Sequence, residues 1–350
     1  MVDTMSQSGS VNVGVKEITQ VCIVVRDLNS TVEDFWDILG IGPWTIFQFG
    51  SPLVSVHKYY GKYTWSRIRV AQVQLGPLEL QLVQPVEGQS IYQDWLDKHS
   101  EGFHHLKFIS DDVQKTIDEM AKQGFYGIQS GRFGPNSQNQ FCLYNVEPLH
   151  IIWEVGDKYE TILQSITTYP ANVEQRSPAK FKVRDINQVA IAVRDIEETV
   201  ENYWRILGIG PWEIRDWEYP IVYDRTYKGK PAWAREKLAH AFIGNVDLEL
   251  VQYIDGESTY KDWINEHGEG LHHLRFFVDD VDKAAETFNE LGFSSLQSGR
   301  IGQPKNRPGY HYIYIDPTHV IWEPVLMPRE GRAAALGQVT FYPANSKRSI

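Results

Sequence analysis

Two adjacent histidines occur twice in this chain, in EGFHHLKF from Glu101 to Phe108 and in EGLHHLRF from Glu269 to Phe276. Imidazole is a common ligand of divalent metals and carries protons near neutral pH, so the first question is which groups stand with it. Side chains alternate across a β-strand, and parity along four apolar stretches sorts the candidates. In QVCIVV, Gln20 shares a face with Cys22 and Val24; in LELQLVQP, Gln81 lies opposite Leu78, Leu80 and Leu82. In HHLKF, His105 and Lys107 oppose Leu106 and Phe108, and in HIIWEV, Glu154 opposes Ile151 and Trp153. The second half gives Gln188, Glu249, His273 and Glu323 by the same rule. Each set joins one imidazole to carboxamide and carboxylate oxygens without a thiolate, a donor chemistry that suits a divalent ion such as Zn, Mn, Co or Ni. By the same parity His104 and His272 point away from these sets and are assigned a structural role, packing or hydrogen bonding at a strand start. Groups so distant in sequence can meet only if their strands curl around a common cavity.

The elements that would position them come in repeats. ITQVCIVVRDLNSTVEDFWDILGIGPW from Ile18 matches INQVAIAVRDIEETVENYWRILGIGPW from Ile186, and the second copy lies 168 residues on, from Gln20 to Gln188 and from His105 to His273. Such self-similarity at a fixed offset marks a duplicated fold. Within each half a weaker repeat appears. VCIVVRDLNSTVEDFWDILG reads as a strand, a turn at Asp27, a helix capped by Ser30 and a stop at Gly40; HHLKFISDDVQKTIDEMAKQGF repeats the plan up to Gly124. Further strands follow each helix, including SRIRVAQVQLG and QFCLYNVE. The expected fold class is α+β: four βαβββ units, paired into two curled-sheet domains with the helices outside. The expected boundaries are a disordered tail at 1–15, a first domain at 16–172, a linker at 173–183 and a second domain at 184–345.

Composition narrows the partners. A chain of 350 residues fits two domains, each large enough for its own core. A formal charge of −11 repels nucleic acid and anionic membranes, and no apolar run approaches the roughly 18–20 residues that span a bilayer. The N-terminal stretch lacks the apolar centre of a secretory signal. Only Cys22 and Cys142 are present, so no disulfide framework is expected. The simplest expectation is a cytoplasmic protein with a small-molecule substrate and no organic cofactor, homodimerisation being left open.

On the opening QVAIAVRDIEETVENYWRILG, the LELVQ strand, GLHHLRF and the closing VIWE, the chain resembles the vicinal oxygen chelate superfamily, in particular its glyoxalase I and methylmalonyl-CoA epimerase branch. That resemblance covers nearly all of both halves. It implies metal ligands at Gln20, Gln81, His105 and Glu154 and at Gln188, Glu249, His273 and Glu323, the positions that parity selects. The second set carries one more negative charge and should hold a divalent ion more strongly. The resemblance also implies α-proton abstraction beside a carbonyl, with the metal as Lewis acid and the last-strand carboxylate, Glu323 or Glu154, as base. The expected function is an epimerase or isomerase of an acyl-CoA, keto-cyclitol or other 2-keto substrate. The alternatives are a glyoxalase-type lyase, a non-haem iron dioxygenase and a non-catalytic binder. The first-strand glutamines, standing where a dioxygenase has histidine, argue against the iron enzyme. Lys107 and Arg275 face the cavity and are candidates for substrate contact, as is His240; no acid–base carboxylate on an earlier strand can be located, REKLAHAFI offering only Glu236 and His240.

Overall fold

The structure, a computed structural model, describes residues 13–157, 166–172, 179–302, 308–327, 338–344 and 346. Most of the expected tail at 1–15 and of the linker at 173–183 lies outside the described residues. The first half runs β1 (Glu17–Val24), α1 (Leu28–Leu39), β2 (Trp44–Gly50), β3 (Val54–Tyr59), β4 (Lys62–Tyr63), β5 (Ser66–Leu75), β6 (Leu78–Gly88), α2 (Ile91–His99), β7 (Gly102–Ile109), α3 (Val113–Lys122), β8 (Gln129–Phe133), β9 (Asn139–Val146), β10 (Ile151–Gly156) and β11 (Thr167–Tyr169). The second repeats it: β12 (Gln188–Val193), α4 (Ile196–Leu207), β13 (Trp212–Trp217), β14 (Val222–Tyr227), β15 (Lys230–Pro231), β16 (Ala234–Ile243), β17 (Val246–Gly256), α5 (Thr259–His267), β18 (Gly270–Phe277), α6 (Val281–Glu290), β19 (Ser295–Ile301), β20 (Gly309–Ile315), β21 (Val320–Leu326) and β22 (Thr340–Tyr342).

Each half folds into one 11-stranded sheet; the first is ordered β11-β2-β5-β6-β1-β7-β10-β9-β8-β3-β4 and the second has the equivalent order. The two βαβββ units of a half join where β1 meets β7 antiparallel, and the β3–β4 hairpin of the first unit crosses to pair with β8 of the second. The four strands that carry the candidate ligands, β6-β1-β7-β10, therefore lie side by side at the centre of the sheet. The expected α+β class and paired units are what the chain forms. Three additions escaped the sequence pattern: the β3–β4 and β14–β15 hairpins, helices α2 and α5 between the units, and the short edge strands β11 and β22. Helix α1 is capped by Asp27 rather than by Ser30. Asp27 has the extended backbone of a cap, and its carboxylate accepts from the Asn29 and Ser30 amides, which puts Ser30 inside the first turn.

One apolar cluster collects the helix-facing side of both sheets, with Val21, Ile23, Leu80 and Trp153 from one half and Val189, Ile191, Leu250 and Trp322 from the other. Phe35 of α1 meets Trp322 edge-on at 6.1 Å, and Tyr203 of α4 meets Trp153 at 6.2 Å, so the first helix of each half packs on the last central strand of the other. Phe181 and Val183 join this core. Separate clusters line the two concave faces. Among the described residues no helix is long and apolar enough to cross a membrane.

Candidate metal centre

The strand parity places Gln188, Glu249, His273 and Glu323 on the concave face of the second sheet, all buried. His273 Nε2 stands 3.2 Å from Glu323 Oε2 and 3.6 Å from Glu249 Oε2. Ligand atoms at about 2.1 Å from an ion in octahedral or tetrahedral geometry lie about 3.0–3.5 Å apart, so these spacings suit donors around one ion. Gln188 Oε1 and His273 Nε2 are buried without a hydrogen-bond partner, a condition that a coordinated cation would relieve and that Gln20 Oε1 and His105 Nε2 share in the first half, so it is the surrounding charges that tell the two sets apart.

Asp247 organises the wall behind these donors. It accepts from Gln188 Nε2 at 2.9 Å and from Arg275 Nη2 at 3.0 Å, and faces His240 Nδ1 at 3.1 Å. Burial would raise its pKa, but His240, Arg275 and Gln188 outweigh burial and hold it well below the usual carboxylate range. The amide oxygen of Gln188 is thereby turned away from Asp247, and His240 Nε2 is left 3.5 Å from Glu249 Oε1. Glu249 and Glu323 behave oppositely. Burial pushes Glu249 up to about 8, with Glu323 and Asp247 adding to the rise and His240 and Arg275 opposing it. Glu323 is pushed up to about 7 by burial against the opposing pull of Arg275 and a hydrogen bond from Tyr312. Two carboxylates that resist ionisation together, beside an imidazole that burial and Arg275 hold down at about 3, form a site short of positive charge. A divalent ion supplies that charge, and the second-half donor set fits one.

The first half brings Gln20, Gln81, His105 and Glu154 together in the same way, with His105 Nε2 3.2 Å from Glu154 Oε2. Its charges differ. Lys107 Nζ sits 3.0 Å from Glu154 Oε1, and Gln20 Nε2 is hydrogen-bonded to Glu79. Burial would raise Glu154, yet Lys107 and His105 bring it down to about 2. This carboxylate already has its cation, and the set fits a divalent ion poorly. The cavities diverge as well. Where the second is lined by Glu213, Arg215, Trp217, His240 and Tyr310, the first has Thr45, Phe47, Phe49, Gln72 and Phe141. Its free volume is about 20 Å³ against about 60 Å³, room for little more than one water, which needs about 10–15 Å³.

The parity argument fails at His104 and His272. The ladder between β1 and β7 pairs Cys22 with His105 and then Ile23 with Phe103, so His104 is an extra bulged residue; β12 and β18 repeat this around His272. A bulge puts two successive side chains on one side. His104 and His105 lie Nδ1 to Nδ1 at 2.8 Å, and His272 and His273 at 3.0 Å. The first histidine of each pair is thus a partner that fixes the ring of the second and leaves its Nε2 toward the carboxylates. Cys22, His104 and His105 form a group with ligand atoms within 4.8 Å of one another. Burial, with Glu154 and Glu79, pushes the Cys22 thiol well up, which keeps it protonated and a weak ligand.

Of the substrate-contact candidates, His240 and Arg275 line the second cavity, although Arg275 is committed to Asp247 and Asn187. Lys107 turns to Glu154 and the Asp157 carbonyl. Asp247, Tyr312, Glu213 and Arg215 were missed. Alternation in NVDLELVQ, GYHYIYI and WEIRDW would have found them once those strands were assigned to the cavity wall.

A family model described as the Glyoxalase/Bleomycin resistance protein/Dioxygenase superfamily matches residues 19–143 and again 187–312. The uncharacterized protein YqjC of Bacillus subtilis is 27% identical over 93 residues, which cover 23% of this chain and 66% of YqjC, just under two thirds of that relative. Among solved structures, a variant of 4-hydroxymandelate synthase from Streptomyces coelicolor superposes with a TM-score of 0.60 at 15% identity, over 92% of this chain and 97% of that one. The Mn(II)-bound glyoxalase from Novosphingobium aromaticivorans gives a TM-score of 0.46 at 12% identity, over 89% and 82% of the two chains. At these identities the likeness concerns the fold.

Proposed function

The chain belongs to the glyoxalase/bleomycin resistance protein/dioxygenase superfamily, and from that premise we propose that its second half is a divalent-metal centre that epimerises or isomerises a small keto compound by moving a proton next to the carbonyl. The observation that carries this reading is the convergence of Gln188, Glu249, His273 and Glu323 around a buried space in which, among the described residues, neither glutamate is paired with a lysine or arginine. A divalent ion held there would supply Lewis-acid polarisation of the carbonyl and stabilise the enolate charge.

The protein's own groups divide the remaining work. Glu323, raised toward neutral pH, is suited to take the proton. Tyr312, which opposes that rise, receives a 2.8 Å hydrogen bond from Tyr260, so the two phenols are fixed to each other beside the base. His240 supplies a second proton carrier: Asp247 holds its Nδ1, and Nε2 lies near Glu249 on the cavity wall. Inversion at a carbon needs a proton removed from one face and returned to the other, a task for two such groups. Each arginine of the wall is already engaged, Arg215 with Glu213 at 3.0 Å and Arg275 with Asp247 at 3.0 Å. Among the described residues that leaves no arginine of the wall committed to a substrate phosphate or carboxylate, which favours an uncharged 2-keto or keto-cyclitol compound over an acyl-CoA.

Exchange of the substrate's α-proton in D₂O, followed by NMR over a panel of keto compounds, tests the reading. Glu323→Gln should slow exchange at least about a hundredfold; exchange at the wild-type rate in this variant, with the substrate and protein otherwise intact, would sink the proposal. A second reading has one observation of its own. The imidazoles of His240 and His273 both flank Glu249, at 3.5 and 3.6 Å, and two histidines with one carboxylate suit a ferrous oxygenase. Oxygen uptake with iron, without α-proton exchange, would favour it.

A further inference from the structure

Lys107 and Arg275 occupy the same position in the two halves, each two residues beyond the candidate ligand histidine, and they do different things. Arg275 reaches sideways, Nη2 to Asp247 at 3.0 Å and Nε to Asn187 at 3.0 Å, and acts on the last-strand glutamate only through its field, without an ion pair. The surroundings of Lys107 differ: Thr19 stands where Asn187 does, and Glu79, the counterpart of Asp247, is bonded to Gln20. The ammonium instead lies 3.0 Å from Glu154 Oε1 and donates to the Asp157 carbonyl at 3.2 Å. Glu154 Oε2 faces His105 Nε2 at 3.2 Å. One carboxylate oxygen is therefore held by the ammonium, while His105 Nε2 lies beside the other without a hydrogen bond, and Lys107, His105 and Glu154 are all almost wholly buried.

We propose that Lys107 is a built-in cation occupying the electrostatic place of the metal in the first half, so that the chain binds one divalent ion rather than two. The charge count agrees. Gln20, Gln81, His105 and Glu154 carry one negative charge, which Lys107 cancels, while Gln188, Glu249, His273 and Glu323 carry two. An incoming divalent ion would meet an ammonium in a poorly solvated interior, where like-charge repulsion is strong, and would have to displace it from Glu154. The companion residues differ with it: Gln72 stands for His240 and Leu143 for Tyr312, so the first cavity lacks both the second imidazole and the phenol of the wall. Lys107 thus marks the half that has given up the metal while keeping the fold.

This inference rests on the metal reading of the second half, and its test separates the two. Metal-free full-length protein is titrated with Mn²⁺ by calorimetry, and the bound metal is counted by mass spectrometry after desalting. The wild type should bind one ion per chain, His273→Ala none, and Lys107→Met two. In the double variant, Lys107→Met with His273→Ala, one ion should return, held by the first half. Two ions in the wild type, one in His273→Ala, or no added ion in a folded Lys107→Met protein would each overturn the proposal. No ion in the wild type but one in Lys107→Met would uphold Lys107 as the barrier and sink the second-half centre instead. If Lys107→Met fails to fold, His273→Ala alone decides, because an ion retained there must sit in the first half.

Discussion

Glu249 and Glu323 are the residues on which the account turns. Both are held above the ordinary carboxylate range in the folded protein, to about 8 and about 7. Their contribution to the stability of the metal-free fold is therefore complete at acid pH and is lost as pH rises through those values, because ionisation leaves two buried charges without a cation. Glu154 and Asp247, both lowered, act in the opposite sense: their contribution is present above the usual carboxylate range and is lost only on strong acidification. Metal-free protein should thus melt at a lower temperature near about pH 8.5 than near about pH 5.5, and Mn²⁺ should raise the melting temperature more at the higher pH, where protons no longer compete for the carboxylates. Calorimetric scans at the two pH values check this, and a metal-induced rise that is larger at acid pH would contradict it. At this scale much was legible in sequence. Parity assigned Gln188, Glu249, His273 and Glu323 to one face, and they share it. It could not reveal that Lys107 and Arg275, equivalent in sequence, would choose different partners, since that depends on Asn187 and Asp247 arriving from neighbouring strands.

The elements show why one part of the reading failed. Alternation presumes an unbroken ladder, and each histidine pair straddles a bulge. The bulge brings His272 to the side of His273, and its structural role is the hydrogen-bonding one, at 3.0 Å Nδ1 to Nδ1. Helix α5, absent from the sequence reading, stacks Tyr260 on the His272 ring with centroids 4.4 Å apart and so presses this pair into place. His272→Ala should keep the fold but loosen the His273 ring, weakening Mn²⁺ affinity about 10–100-fold, the usual cost of losing such a support. Calorimetric titration measures it, and unchanged affinity would return His272 to a packing role. Helix stops were more legible than starts: Gly40 ends its helix at φ 61°, as read, whereas the caps are the aspartates of the preceding turns, Asp27 in place of Ser30 and likewise Asp112, Asp195 and Asp280. The β3–β4 and β14–β15 hairpins pair with strands far along the chain, and nothing in their own residues announces that partner.

Over the whole molecule the duplication has produced two sheets of one topology with unequal interiors. The outer architecture is shared: each half lends its first helix to the other, Tyr203 donating to the Leu149 carbonyl at 3.0 Å, and the exchanged histidine–glutamate contacts His150–Glu269 and His319–Glu101 lie at 3.4 and 3.5 Å. The interiors differ in charge and in room, one closed around Phe47, Phe49 and Phe141, the other open onto His240, Glu249 and Glu323. The repeat in the sequence made the two halves visible, and the extra carboxylate at Glu249 pointed to the second as the stronger site. The apolar filling of the first cavity was present in the sequence too, but became readable only when strand pairing showed which residues face inward. Anomalous diffraction from crystals soaked in Mn²⁺ tests the central claim most directly. The account predicts a peak enclosed by Gln188, Glu249, His273 and Glu323; no peak there, or density only beside Cys22, His104 and His105, would contradict it.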